Sequence, residues 1–428
     1  MQARQFLIGL LLSLTLVAPA AALDLSALQA DLHGFLDIRY GQRLQSDAYE
    51  DQNSLAEARL QLELSRMGDW ATLQIKTDLY YDDVVDQDDL DLEEGTGWLD
   101  LREANLLFSP HDIADVKLGR QILTWGTGDL LFINDLFPKD WQAFFSGRDI
   151  DYLKAPSDAV LLSFFPQWAN IDLVYTPRFD ADRFISGERI SYWNPSLNRL
   201  AGKDAVVKAD RPDDWFSDDE WSLRLSRNLS GYEVALYGYD GYWKSPVGFD
   251  PQANKATFPQ LRVLGASLRG NLGEGIFSLE AGYYDSRDDN NGRDPLVPNS
   301  EGRFLAGYEQ EVVRNVTAGF QYYLEAMRHH DRYRDSLAST ATARDEFRHV
   351  VTARLTWQLL NQNLLLSAFS YWSPSDQDGY LRPVAEYKLT DDWQLTAGAN
   401  LFWGEDDHTF FGQFTNNNNL YAGIRYSF

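Results

Sequence analysis

Hydrophobic and polar residues alternate with a period of two along most of this chain, the spacing that puts successive side chains on opposite faces of a β-strand. In the stretch from Val316 to Glu325, one face holds Val316, Ala318, Phe320, Tyr322 and Leu324. The other holds Thr317, Gly319, Gln321, Tyr323 and Glu325. The same phase is clear at 32–40, 56–65, 71–81, 170–176, 220–226, 232–237, 263–269, 276–284, 303–311, 348–358, 381–389, 394–403 and 419–428. Four further segments, about 98–108, 115–125, 158–165 and 364–372, are strand-like with a mixed phase. Eighteen strands are therefore expected.

The connections alternate in length. Tight turns rich in Gly, Asn, Asp and Pro stand near 65–70, 109–114, 166–169, 227–231, 271–275, 313–315, 359–363 and 390–393. The other connections are longer and more polar, as at 82–97, 126–157, 177–219, 241–260, 286–302, 327–346 and 404–418. An even number of strands with short turns at one end and long loops at the other predicts an all-β fold. Specifically, it is a transmembrane antiparallel up-and-down β-barrel with short periplasmic turns and long extracellular loops.

Charge also segregates by face, as it would in a soluble sandwich that buried its apolar side. The export signal at residues 1–22, the aromatic ends of the apolar faces and the removal of exposed edges by closure favour the membrane. The polar faces of the clear strands carry charges such as Asp37, Arg39, Glu57, Arg59, Lys76, Arg224, Arg269, Glu280 and Glu309. Further along they carry Glu325, Arg348, Arg354, Arg382 and Arg425, while the apolar faces carry none. A charge turned to hydrocarbon near the bilayer midplane would cost about 2–4 kcal/mol for Arg or Lys. Aromatics such as Tyr81, Trp357, Trp403, Tyr426 and Phe428 end the apolar faces, as an interfacial girdle requires.

Composition sharpens the picture. The 428 residues include no Cys, which excludes a disulfide framework and thiolate metal sites. A formal charge of −26 argues against a nucleic-acid partner. Residues 1–22 read as a signal peptide, with Arg4, an apolar run from Phe6 to Val17, and small residues Ala20–Ala22 at the cleavage site. Residues 23–428 then form one barrel domain in the bacterial outer membrane, in contact with its lipid and lipopolysaccharide.

The final residues, NLYAGIRYSF, are themselves a strand. Tyr421, Gly423, Tyr426 and Phe428 resemble the C-terminal assembly signal of bacterial outer-membrane barrels. That resemblance implies recognition by the barrel assembly machinery and closure of the last strand on the first, around His33 to Tyr40.

A barrel of this width leaves an aqueous lumen unless something fills it. The loop 126–158 is unlike the others. It carries Leu130, Leu131, Phe132, Leu136, Phe137, Trp141, Phe144 and Phe145, which need burial. Folding into the lumen would provide that burial, leaving Asp135, Lys139, Asp140, Arg148, Asp149 and Asp151 to line a constriction. The strand before it, LGRQILTWG from Leu118 to Gly126, resembles alginate-export-like and related outer-membrane porins through Gly119, Arg120, Gln121, Trp125 and Gly126. Its irregular phase near Gly119 suggests a bulge that turns Arg120 inward.

The resulting expectation is a passive diffusion channel for small polar or charged solutes, with no cofactor, no metal and no catalytic residues. Alternatives are a sheath or receptor for a partner protein, or an outer-membrane lipid hydrolase. For the last, the chain shows no Gly-x-Ser-x-Gly elbow. The acidic runs 82–94 and 213–220 read as solvated loops or as sites for hard divalent cations.

Overall fold

The computed structural model describes residues 30–428 other than Asp86 and Thr340, so the expected signal peptide lies outside the described residues. The chain runs through β1 (Ala30–Arg43), β2 (Asn53–Met67), β3 (Thr72–Asp82), β4 (Leu99–His111), β5 (Ala114–Gln121), β6 (Ser157–Phe164) and β7 (Asn170–Thr176). Three short strands, β8 (Tyr192–Asn194), β9 (Arg199–Ala201) and β10 (Ala209–Asp210), lie in the next loop. Then come β11 (Glu220–Leu229) and β12 (Tyr232–Tyr242), the loop strands β13 (Gly248–Asp250) and β14 (Lys255–Thr257), and β15 (Gln260–Leu272). The remainder is β16 (Gly275–Ser286), β17 (Glu301–Val313), β18 (Val316–Met327), β19 (Phe347–Leu359), β20 (Leu364–Ser373), β21 (Asp378–Lys388), β22 (Trp393–Gly404) and β23 (Asn419–Ser427).

Eighteen of these strands form one sheet in which each pairs antiparallel with the next, and β1 pairs with both β2 and β23. The sheet is closed, and no long strand presents an unpaired edge. Closure ends on Phe428, whose N–H and C=O exchange bonds of 3.0 and 3.1 Å with Gly34. Gly34 has to be glycine there, because a Cβ would run into the Gln61 carbonyl oxygen and press on the Phe428 ring.

Burial alternates as the sequence pattern requires, with the charged face inside. Asp78, Glu280 and Arg59 are 0, 2 and 3 % exposed, whereas Leu236, Phe320 and Leu420 on the opposite face are each 54 % exposed. Exposed aromatics stand at both ends of the barrel, among them Trp70, Trp168 and Trp393 at the short turns and Tyr40, Trp372 and Trp403 at the long loops. A closed barrel with an apolar outside belongs in a bilayer.

Two local features differ from the simple alternating picture. The link from β20 to β21 spans only 374–377, although it lies at the long-loop end. In the β3–β4 pairing the register shifts between Lys76 and Thr77, which oppose Glu103 and Leu101. The unpaired Arg102 and its neighbour Glu103 are both buried as a result, which is why the phase of that segment is mixed.

Candidate functional site: the barrel interior and its crossing loop

The loop between β5 and β6 touches the inner wall in three sectors. Its first part lies against β16 to β20. Glu280 accepts hydrogen bonds from the Thr127 and Asn134 backbone N–H groups (2.8 Å each), from Gly128 N–H (3.2 Å), from Thr127 Oγ1 (3.0 Å) and from Asn134 Nδ2 (3.0 Å). Gln321 exchanges bonds of 2.7 and 2.8 Å with the Asp129 backbone, and Tyr371 Oη donates to Leu130 O. Arg354 clamps the Asp129 carboxylate through two nitrogens, at 2.5 and 2.8 Å. Leu130 is held in the left-handed region, φ 57°, at the tip of this turn.

The middle of the loop is a short helix, Trp141–Ser146, started by the Asp140 side chain and ended by Gly147 at φ 99°. Phe144 and Phe145 on it pack against Tyr380, Phe402 and Phe414 with ring centroids 5.1–5.7 Å apart. A Cβ on Gly147 would strike the Tyr421 ring, so the helix end and β23 fit only through that glycine.

The last part meets the most heavily charged wall. Arg148 pairs with Glu57 at 2.7 Å and Asp82 at 3.2 Å, while Asp149 pairs with Arg425 at 2.9 Å and Arg39 at 3.5 Å. Asp37 joins Arg39 (2.7 Å) to Arg425 (2.9 Å), and Arg59 bridges Glu57 (2.8 Å) and Asp78 (2.5 Å). The Tyr152 ring is sandwiched by Arg59 and Arg102, at 4.4 and 4.7 Å. Burial pushes the Asp149 carboxyl up, but Arg425 and Arg39 outweigh it and hold it below its ordinary range.

The remaining predicted residues have varied settings. Lys76 pairs with Glu63 at 3.0 Å, Arg224 with Glu233 at 2.6 Å, and Arg348 with Asp376 at 2.6 Å and Glu325 at 3.5 Å. Arg382 lies over the Phe144 ring at 5.4 Å. Asp135 and Lys139 close on each other at 3.0 Å, Asp140 caps the helix and reaches Arg183 at 3.6 Å, and Asp151 is exposed. Arg269 and Glu309 make no ion pair among the described residues.

Arg120 does turn inward, pairing with Asp158 at 2.9 Å and donating to Leu101 O at 2.6 Å. The cause is not a bulge, since pairing of β5 with both neighbours runs in unbroken register past Gly119. Gly119 instead takes φ 110°, where a Cβ would collide with Ala104 O, and this single residue rotates the following side chains to the inner face.

Sequence reasoning missed the inward part of loop 177–219. Arg183 makes a two-pronged bond to Asp100, at 2.8 and 2.9 Å, and the buried Arg189 pairs with Asp82. The signal was present as Phe179, Phe184, Ile185, Ile190 and Tyr192 around those arginines, an apolar share like that of loop 126–158. In the acidic run 82–94, Glu93 is taken up by Arg120, Arg178 and Arg211 at 3.1–3.5 Å. The carboxylate triad Glu93, Asp158 and Asp180 is thus crowded by guanidinium groups.

Two cavities flank the crossing loop. One, of about 1280 Å³, opens at the long-loop end above Leu130, Leu131 and Phe132. The other, of about 90 Å³, lies below and is bordered by Thr127, Asp129, Arg269, Glu309, Gln321 and Arg354.

Solved structures share this architecture. OccD3 (OpdP) of Pseudomonas aeruginosa is 10% identical, with a TM-score of 0.55 over 93% of this chain and 91% of its own. OccAB3 of Acinetobacter baumannii is 10% identical, with a TM-score of 0.55 over 93% and 99%. OccK5 (OpdH) of P. aeruginosa is 9% identical, with a TM-score of 0.52 over 93% and 98%. The fold is that of a bacterial outer-membrane porin. No protein-family model and no curated protein matches the sequence. With a porin barrel, an apolar exterior and a charged interior, the chain is an outer-membrane protein.

Proposed function

We propose that the protein is a passive diffusion channel for small polar solutes, narrowed by the loop 126–158. The observation that carries this reading is the three-sector contact of one loop with the wall, through Glu280 and Arg354 on one side, Phe144 and Phe145 in the middle, and Arg39, Glu57 and Arg425 on the other. A segment anchored across a lumen in this way reduces its free cross-section.

The wall charges then line the remaining passage, and because most are paired with a partner of opposite sign, the field is local and mixed in sign. The Arg354–Asp129 pair, together with Arg269 and Glu309, flanks the lower passage and supports a polar solute. In this reading Leu118–Gly126, the stretch that resembles alginate-export-like porins, delivers the chain from wall to lumen, with Gly119 setting the change of face. A sheath around a partner protein would need the lumen that this loop occupies. The apolar exterior is suited to lipid, and the Phe428 strand to the barrel assembly machinery.

Planar-bilayer recording tests the proposal. Replacing the apolar residues of 130–145 by Gly and Ser is expected to raise single-channel conductance several-fold, because the helix loses its packing on Tyr380 and Phe402. Unchanged conductance would remove the loop as the constriction.

A further inference from the structure

The large cavity has a chemistry that passive sieving does not require. Its floor is the apolar turn Leu130–Phe132. Around its mouth stand Leu197, Val206, Val247, Leu296 and Phe410, which are 46, 36, 48, 38 and 45 % exposed. They come from four different loops, 177–219, 243–259, 287–300 and 405–418, so no single sequence run explains their convergence. A contiguous apolar surface left open to water marks a place where something apolar binds.

The charges that border this cavity are largely committed elsewhere. Lys139 is held by Asp135 at 3.0 Å, Lys244 by Glu220 at 2.6 Å, and Arg303 by Glu301 at 2.5 Å. Arg348 is held by Asp376 and Glu325. Asp182 accepts from Lys139 N–H (2.7 Å), Trp141 Nε1 (3.0 Å) and Ser245 Oγ (2.7 Å). Of the bordering cations only the exposed Lys208 makes no ion pair among the described residues. An ionic ligand seated among the others would have to break one of these pairs, whereas an apolar one displaces only water from a concave, aromatic-walled site.

We propose that this cavity is a binding site for neutral polar solutes that carry an apolar ring, the ring held in the mouth while the polar part faces the narrow passage below. The inference deepens the channel reading and rests on it for the onward path. Binding itself does not depend on conduction, so the two are separable by experiment.

Phenyl β-D-glucoside and methyl β-D-glucoside make a suitable pair of probes, since they share a neutral sugar and differ in the ring. Calorimetric titration of the full protein in detergent, corrected for micelles alone, should give saturable binding for the phenyl compound and at least tenfold weaker binding for the methyl one. The variant carrying Val247→Ser and Phe410→Ser alters only exposed side chains, and should weaken phenyl-glucoside affinity about tenfold. Equal affinities for the two glucosides, or an unaltered affinity in the variant, would overturn the site. Bilayer conductance measured on the same preparation reports separately on the channel: ring-selective binding without conductance would sink the channel and leave the site standing.

Discussion

Glu50, in the loop that links β1 to β2, is buried, and neither carboxylate oxygen has a hydrogen-bond partner among the described residues. Burial raises its pKa from 4.5 to about 7, with Arg43 and Lys203 offsetting only part of the cost. Because the folded state holds this proton more tightly than the unfolded chain, the contribution to stability is complete below 4.5 and is lost as pH rises through about 7. Glu50→Gln should therefore match the parent protein at acid pH and exceed it in stability above about 7. Denaturant midpoints at the two pH values check this, and a variant that is no more stable at the higher pH would refute it. Nothing in the sequence around Glu50 distinguishes it from the solvated acids nearby, since its burial comes from distant contacts such as Gly202. Arg39, Arg59 and Arg425 were legible because a strand's period alone decides which face they take. Gly119 was legible only as an irregularity, because a left-handed φ and a bulge both break a two-residue pattern.

At the scale of elements, Glu280 is the wall side chain that takes the most backbone donors of the loop segment 127–134. Glu280 accepts from three backbone N–H groups of the loop, and no neighbouring residue of the loop does the same work. Glu280→Ala would leave those donors without their acceptor, at a cost on the order of 3 kcal/mol. The expected result is a channel with noisier open current and a lower unfolding midpoint, whereas a quiet current would show that Arg354 and Gln321 suffice to hold the turn. All eighteen strands were readable from alternation, including the four of mixed phase. Mixed phase has a definite physical origin in β4, where one unpaired residue moves Arg102 and Glu103 to the same side. The loops were less legible. The apolar content of 126–158 signalled burial and a similar share in 177–219 did so too, but there the inward contacts are the salt bridges of Arg183 and Arg189, which join residues about a hundred positions apart.

At the scale of the whole molecule, the barrel is inside-out relative to a soluble protein, and its stability should respond accordingly. Leu236, 54 % exposed near the centre of β12, faces outward. Leu236→Arg should cost about 2–4 kcal/mol when the protein unfolds from a bilayer. The same exchange would be tolerated on the exposed face of a water-soluble sheet. Measuring unfolding from lipid vesicles tests this, and a neutral result would place that face in water. The sign of the overall architecture was legible because the charges share one phase while the opposite, apolar faces end in aromatics suited to a lipid interface. The barrel's contents were legible only in part: loop 126–158 was expected inside, whereas the inward part of 177–219 was not.

The pairing of β1 with β23 has a consequence for how the protein comes into being. Phe35 and Ser427 are opposite one another, so the final seam joins segments separated by almost the entire described chain. A ring of this kind has no smaller version of itself: until its last segment arrives, any assembled part carries two raw margins able to stick to other molecules. Maturation is thus all-or-nothing in time as well as in shape, and slow by the cost of joining such distant segments.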